Sequence, residues 1–285
     1  MLIRYTIAFL LIVETTKVEA LISARLDDPP LYPAVVVMLI GDYGRCSATK
    51  IAARKFLTAA HCVADTTTGT ISDNFAEGQP IRVSNAVTPT QGDFVHLHVK
   101  QANLHPDIEQ ALKRFHAYKE NFINEYRKHH EGVELEGLIR RIEAEADNLF
   151  SARHPDLAVV SVDELTPRIP IASIDFTPLK ADESVHLVGF GCEVGPNALP
   201  ESKYGRRHWG ETRVIRVDSV NFYTFAHLMR SGAPSTCPGD SGGPVMRAGK
   251  IVGVHGTVYY LSENLGANSN MSVNLRAYKT WSLLR

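Results

Sequence analysis

The feature that most narrows the fold is punctuation: the chain is a succession of short β-branched or aromatic runs, each cut off by Gly, Pro, Asn or Asp. Ala34–Ile40, Lys55–Ala59, Ile81–Val83, Phe94–Lys100, Leu157–Val162, Val185–Phe190, Arg213–Val217, Asn221–Phe225, Pro244–Met246 and Ile251–Val254 all have this form. Runs of that length and composition read as strands, and their regular spacing predicts an all-β sandwich or barrel. With 44% hydrophobic residues among 285, the chain can bury a sizeable core, in one large domain or two small ones. A formal charge of −1 argues against nucleic acid or an anionic membrane as an obligatory partner, since both demand a marked basic excess.

One region breaks the pattern. From Asp107 to about Arg153 the sequence is charged and free of proline, with apolar residues at Ile108, Leu112, Phe115, Phe122 and Tyr126. A second set follows His129-His130-Glu131-Gly132, at Leu135, Leu138, Ile139, Ile142, Ala146, Leu149 and Phe150. Both keep three-and-four spacing, which predicts a helical hairpin with its two stripes facing each other and the His-Glu-Gly stretch as the turn.

Residues 1–20 read as an export signal, with Arg4 at the basic end, an apolar Ile7–Val13 core and Val18-Glu19-Ala20 before the cleavage point. The apolar core is too short to span a bilayer, so no membrane span is expected. The mature domain would then be 21–285, in a secreted or periplasmic protein. Four cysteines in an exported chain suggest two disulfides, with three pairings open.

The chemistry concentrates in Cys237-Pro238-Gly239-Asp240-Ser241-Gly242-Gly243-Pro244. Glycines there let a substrate carbonyl approach the backbone, so the N–H groups of Gly239 and Ser241 can converge on an oxyanion. A serine hydroxyl is inert near neutrality without a base to take its proton. His61, at the end of Phe56-Leu57-Thr58-Ala59-Ala60-His61-Cys62, is the candidate base, and Asp156, at the mouth of the Leu157–Val160 run, is the group to orient it.

These three segments, in the order His, Asp, Ser, resemble the chymotrypsin/trypsin-type serine endopeptidases, whose motifs read T-A-A-H-C, D-[IL]-[AM] and G-D-S-G-G-P. The resemblance runs from about Leu21 to the C-terminus and is interrupted only by the 107–153 insertion. It implies two six-stranded antiparallel β-barrels with the active site between them, and a C-terminal helix at Ala277–Leu284. The insertion would border the substrate cleft, as a lid, a partner-docking element or a solvated decoration. The resemblance pairs Cys46 with Cys62 and leaves Cys192 with Cys237.

It also implies that Asp240 pairs with the α-amino group of the mature chain, here Leu21 if the signal is cut after Ala20. Cleavage after Lys17 or Arg25 is the alternative. Ser235 would floor the primary pocket where trypsins carry Asp, with Thr236 beside it and Val258 and Asn270 in the walls. His255 falls where glutamyl endopeptidases carry a histidine that recognises a P1 carboxylate, although a core histidine bonded to backbone fits the same position. Gly256 stands where many relatives have a serine supporting the catalytic Asp. The expected protein is a serine endopeptidase acting on proteins or peptides, with P1 small or acidic rather than Arg or Lys. The alternative is a catalytically silent homologue that binds a partner. No cofactor is implied, and His96, His98, His129 and His130 read as surface histidines rather than metal ligands.

Overall fold

A strand such as Val35-Val36-Val37-Met38-Leu39, apolar at every position, has to be covered on both faces. The computed structural model, which describes residues 24–41, 44–65, 68–129, 131–139, 153–191, 203–227, 229–260 and 268–285, shows how. Val36 and Met38 enter one core with Phe56, Leu97 and Val160. Val35, Val37 and Leu39 enter another, with Val188, Phe190 and Val254 from the far half of the chain. The alternation continues after Asp156: Ala158 and Val160 join the first cluster, Leu157 and Val159 the second. The second cluster is therefore the layer that joins two barrels.

The strands of the first half are β1 (Arg25–Leu26), β2 (Val35–Ile40), β3 (Gly44–Ala52), β4 (Lys55–Thr58), β5 (Ala64–Asp65), β6 (Thr70–Ile71), β7 (Pro80–Ser84), β8 (Val95–Leu104) and β9 (Ala158–Val162). A closed antiparallel barrel forms in the order β2-β3-β4-β9-β8-β7, and β5 pairs with β6 in a hairpin just past His61. In the second half come β10 (Ser184–Gly189), β11 (His208–Val217), β12 (Asn221–Phe225), β13 (Pro244–Arg247), β14 (Lys250–Tyr260) and β15 (Asn268–Asn274). They run β11-β10-β13-β14-β15-β12, and β11 pairs with β12 to close the second barrel. The expected pair of six-stranded barrels is thus the observed fold.

The C-terminus departs from expectation. In place of a helix over Ala277–Leu284 there are two 3-10 turns, Leu275–Tyr278 and Ser282–Leu284. Trp281 between them is extended (φ −66°, ψ 114°), which stops helical propagation, and the rings of Tyr278 and Trp281 both meet His105 edge-on, at 4.7 and 5.1 Å.

The insertion opens with α1 (Pro106–Tyr126), the one long helix among the described residues. Its start is well specified: Pro106 sits in the first turn, the His105 ring accepts from the Asp107 N–H (3.3 Å), and Asp107 and Glu109 face the positive end of the helix dipole. After the turn, Gly132 has φ +63° and residues 132–139 are helical; Ile142, Ala146, Leu149 and Phe150 lie outside the described residues. The expected packing is corrected at its first stripe. Ile108 and Leu112 are buried in the first barrel's core cluster, with Cys62, Val63 and Ala64. Gly69, in the loop after His61, lies so close to α1 that a Cβ there would come within 2.9 Å of the Leu112 carbonyl. This helix is part of the barrel, because Ile108 and Leu112 cover Cys62, Val63, Ala64 and the partly buried Ile71. Leu112→Ala should accordingly lower global stability by about 2–5 kcal/mol. Thermal unfolding would read this as a clear fall in Tm, and an unchanged Tm would mean that α1 is only an appendage.

Arg207 is the joint of the molecule. It lies just before β11 yet donates from Nη1 to the carbonyls of Val35 (3.2 Å) and Asn85 (2.6 Å) in the first barrel. Its Nε donates to Asp27 Oδ2 (2.6 Å), and Asp27 in turn accepts from the Leu31 N–H (2.8 Å). Both charged side chains are fully buried. Beside them β1 adds to β11, and Arg25 lies over the Trp209 ring. The N-terminal segment is thereby fastened across both barrels.

Candidate active site

His61 sits on the 3-10 turn Ala60–Cys62 that follows β4. Ala59 and Ala60 are fully buried, and the Cys46–Cys62 disulfide (Cα–Cα 6.2 Å) ties the turn to β3, as the resemblance implied. The histidine is thus held by a covalent staple next to a buried wall, with its ring directed away from the core. Its Nδ1–H meets Asp156 Oδ2 at 2.6 Å, and its backbone N–H donates to Asp156 Oδ1 at 2.9 Å. The aspartate is 2% exposed, against 38% for the histidine ring. Burial alone would raise the Asp156 pKa, but the His61 charge and the hydrogen bonds from His61 and the Ala60–His61 backbone outweigh it and hold the carboxyl below its ordinary value. A carboxylate kept ionised in this way fixes one imidazole tautomer and leaves Nε2 as the basic atom.

Ser241 is brought to the same place by close backbone approach. A Cβ on Gly242 (φ +80°) would lie 2.1 Å from Thr58 Oγ1 and 2.9 Å from the Ala59 nitrogen, two residues before His61. Only glycine permits this contact. The Ser241 carbonyl accepts from the Ser47 N–H (2.8 Å), and the Gly242 N–H donates to the His255 carbonyl (2.9 Å). Gly239 has φ +101°, which again favours glycine. Gly256 adjoins the aspartate: a Cβ there would lie 3.4 Å from Asp156 Oδ2, so a serine at this position would have its hydroxyl near that oxygen.

Asp240 turns away from solvent completely. Its Oδ1 accepts from the Gly191 N–H (2.7 Å) and its Oδ2 from the Cys237 N–H (3.0 Å). Gly189 and Gly191 make room for it, since a Cβ on either would come within 2.3 Å of the carboxylate. Burial pushes its pKa up to about 7, against the opposing pull of the two backbone N–H groups and the charge of Arg45. Leu21, its expected partner, lies outside the described residues, as does Cys192. Cys237 is disulfide-bonded.

Around the expected primary pocket the residues take several roles. Ser235 is buried and its Oγ accepts from the His227 N–H (2.7 Å). Asn270 is a brace: its Oδ1 accepts from the Thr236 N–H (2.9 Å), and its Nδ2 donates to the carbonyls of Phe225 and Pro234 (both 2.9 Å). Its amide is consumed in holding the 234–236 segment against β12 and β15. Val258 pairs with Asn270 across β14 and β15, and its side chain lies outside the described residues. His255 is buried, with Nδ1 3.3 Å from Ser272 Oγ and the Val188 carbonyl beside its ring. Burial drives its pKa down to about 3, with the Val188 carbonyl opposing, so the ring is neutral.

Among the described residues the grouping with metal-ligand atoms close together is Cys46, His61 and Cys62, and its two sulfurs are joined to each other. It offers a metal one nitrogen and no thiolate. His98, expected at the surface, is exposed and pairs with Glu164 (2.6 Å). Sequence reasoning passed over Ser47, whose position just after Cys46 was the only signal available.

A sequence model of the trypsin-like peptidase domain matches residues 46–254, most of the chain. A search of curated proteins found no match. Among solved structures, mouse neuropsin, described as a serine protease expressed in the limbic system of the brain, matches with a TM-score of 0.56 and 15% identity. The alignment covers 90% of this chain and 96% of that one, which at such identity establishes likeness of fold. With the Asp156–His61 pair, the Gly-Asp-Ser-Gly-Gly loop and the two barrels in place, this chain belongs to the trypsin-like peptidase domain family.

Proposed function

We propose that the protein is an exported serine endopeptidase that hydrolyses peptide bonds through an acyl-enzyme. The observation that carries this reading is the buried Asp156 carboxylate bonded twice to His61, on Nδ1 and on the backbone. An imidazole held so has no purpose in packing, for its ring is partly exposed. In the reaction His61 Nε2 takes the Ser241 proton as Oγ attacks the scissile carbonyl, and Asp156 stabilises the imidazolium. The oxyanion that forms is met by the N–H groups of Gly239 and Ser241. His61 then delivers the proton to the leaving amine, and water hydrolyses the ester in the reverse sequence. Labelling of Ser241 by a fluorophosphonate probe tests the reading directly. A folded wild-type protein that does not react would be a binding homologue instead.

The mature chain starts at Leu21, whose amine pairs with Asp240. A disulfide at Cys46–Cys62 fits an oxidising compartment, outside the cell or in the periplasm. The helical insertion, 107–153, borders the cleft as a lid that selects among folded substrates.

The preferred P1 residue is small or acidic. Ser235 places no carboxylate at the pocket floor, and His255 stands where the resemblance puts a histidine that reads a P1 carboxylate. A neutral ring can do this as an N–H donor. A site built around such a donor discriminates by leaving it unpaired with the wrong substrate, so His255→Val should cut cleavage after Glu by about 100-fold or more and leave cleavage after Ala near the wild-type rate. A peptide-library profile would show this, and efficient cleavage after Arg would refute the pocket assignment.

A further inference from the structure

β3 runs from Gly44 to Ala52, but β4 pairs with it only from Ala52 back to Thr49 before turning away at Thr58. Ser47 is therefore left with an open edge, fully buried, at the junction of the two barrels. Buried backbone groups must find partners, and here they find them in the nucleophile loop. The Ser47 N–H donates to the Ser241 carbonyl (2.8 Å), and its own carbonyl accepts from Thr58 Oγ1 (2.9 Å). Its hydroxyl does more: Oγ–H donates to the Gly239 carbonyl (2.9 Å) while Oγ accepts from the Phe190 N–H (2.9 Å).

A planar peptide is oriented once both its ends are bonded. The Gly239–Asp240 peptide is held by Ser47 Oγ at its oxygen and by the Cys237 carbonyl at its N–H (3.0 Å). The Ser241–Gly242 peptide is held by the Ser47 N–H at its oxygen and by the His255 carbonyl at its N–H (2.9 Å). Between them, the Asp240–Ser241 peptide is fixed at its oxygen by the Gly243 N–H (2.9 Å). Among the described residues the two N–H groups with no acceptor in this loop are those of Gly239 and Ser241. The carbonyls of Gly239, Asp240 and Ser241 and the N–H groups of Asp240 and Gly242 are all bonded around them.

We infer that the Ser47 hydroxyl is a positioning residue for the oxyanion site: it ties the Gly239 carbonyl in the second barrel to the strand that carries the histidine staple in the first. The inference rests on the peptidase reading above and adds a residue to its machinery. Gly239 has no side chain to limit its torsions, so without the Ser47 hydroxyl the N–H on one side of that residue loses its aim together with the carbonyl on the other. The effect belongs to the transition state, because the hole tightens on an oxyanion and not on a ground-state carbonyl.

Ser47→Ala removes only the hydroxyl and Ser47→Gly the whole side chain, and both keep the backbone N–H that bonds Ser241. Either is expected to lower kcat on a peptide ester by about 10- to 100-fold with KM changed less than about twofold, well below its Tm. A peptide boronate, whose tetrahedral adduct places an oxygen in the hole, should lose affinity by a similar factor, while the affinity for a cleaved product peptide stays as in wild type. A merely structural serine would lower Tm and leave those ratios alone. Two variants are made so that at least one folds. If a folded variant keeps kcat and boronate affinity within twofold of an active wild type, the inference is overturned while the peptidase reading stands. A wild type unreactive toward fluorophosphonate overturns both.

Discussion

Ser241→Ala will lower kcat/KM toward peptide substrates by about 10⁴- to 10⁶-fold, with thermal stability close to that of wild type. The size follows from chemistry: without the hydroxyl no acyl-enzyme forms, and what remains is the binding and polarisation of the carbonyl by the loop N–H groups. His61→Ala should fall in the same range, since a neutral serine without a base is a poor nucleophile. Asp156→Asn should lose somewhat less, because the amide can still contact His61 but favours the wrong tautomer. The three residues act as one unit, so the Ser241→Ala/His61→Ala double variant should be little worse than either single one. Steady-state kinetics on purified, folded variants checks this. Ser241→Ala with near wild-type turnover would remove the assignment, and additive losses would mean that the groups do not share one proton path.

A chain with one residue added before Leu21 will lose stability, relative to the mature chain, as pH rises through 7. Asp240 has a folded-state pKa of about 7 against 3.8 for the free group, because it is buried. A raised folded pKa means the folded state holds the proton more tightly, so this contribution is complete below about pH 4 and disappears as pH rises through about 7. Three pKa units correspond to a maximal loss on the order of 4 kcal/mol. A Leu21 amine beside the carboxylate would reverse the preference, favour the ionised form and abolish the loss. Melting curves of the two chains between pH 5 and 8 should therefore diverge, with the extended chain falling and also losing activity as Asp240 fails to order the Gly239–Ser241 loop. Parallel curves would mean that the mature amine does not reach Asp240.

Most strands could be read from the sequence because they bury apolar side chains on both faces; Asn221–Phe225 matches to the residue. The two long strands missed, β3 and β15, are the informative failures. Their buried positions include Ser47, Thr49 and Lys50 in one, and Ser269, Asn270 and Ser272 in the other. Hydrophobic pattern does not single out a strand in which polar residues interleave with the apolar ones at buried positions. Those positions are polar because they bond to loops: Ser47 to the nucleophile loop, Asn270 to the segment before it, and Lys50 Nζ to the carbonyls of Thr166 and Ile169. The same blindness hid the bracing role of Asn270, whose amide hydrogen bonds go to backbone. The contacts of His61 and Asp156 were legible because the motif around each is short and local. The stripe on α1 was legible as a stripe, but the partners of Ile108 and Leu112, which are Cys62, Val63 and Ala64 on the histidine turn, are distant in sequence and no periodicity encodes them.

The Asp27–Arg207 joint constrains how this sequence can drift. Removing one member strands the other as an unpaired buried charge, which costs about 3–5 kcal/mol, as much as many domains can spare. Replacing both with apolar residues of matching volume could cost little or nothing. Every single-step path from the ionic joint to an apolar one therefore crosses a poorly folding intermediate, although the two ends are comparable. Positions 27 and 207 are 180 residues apart, yet they can change only together. A lineage that has acquired this pair keeps it by the depth of the valley around it, whatever its worth to the folded protein.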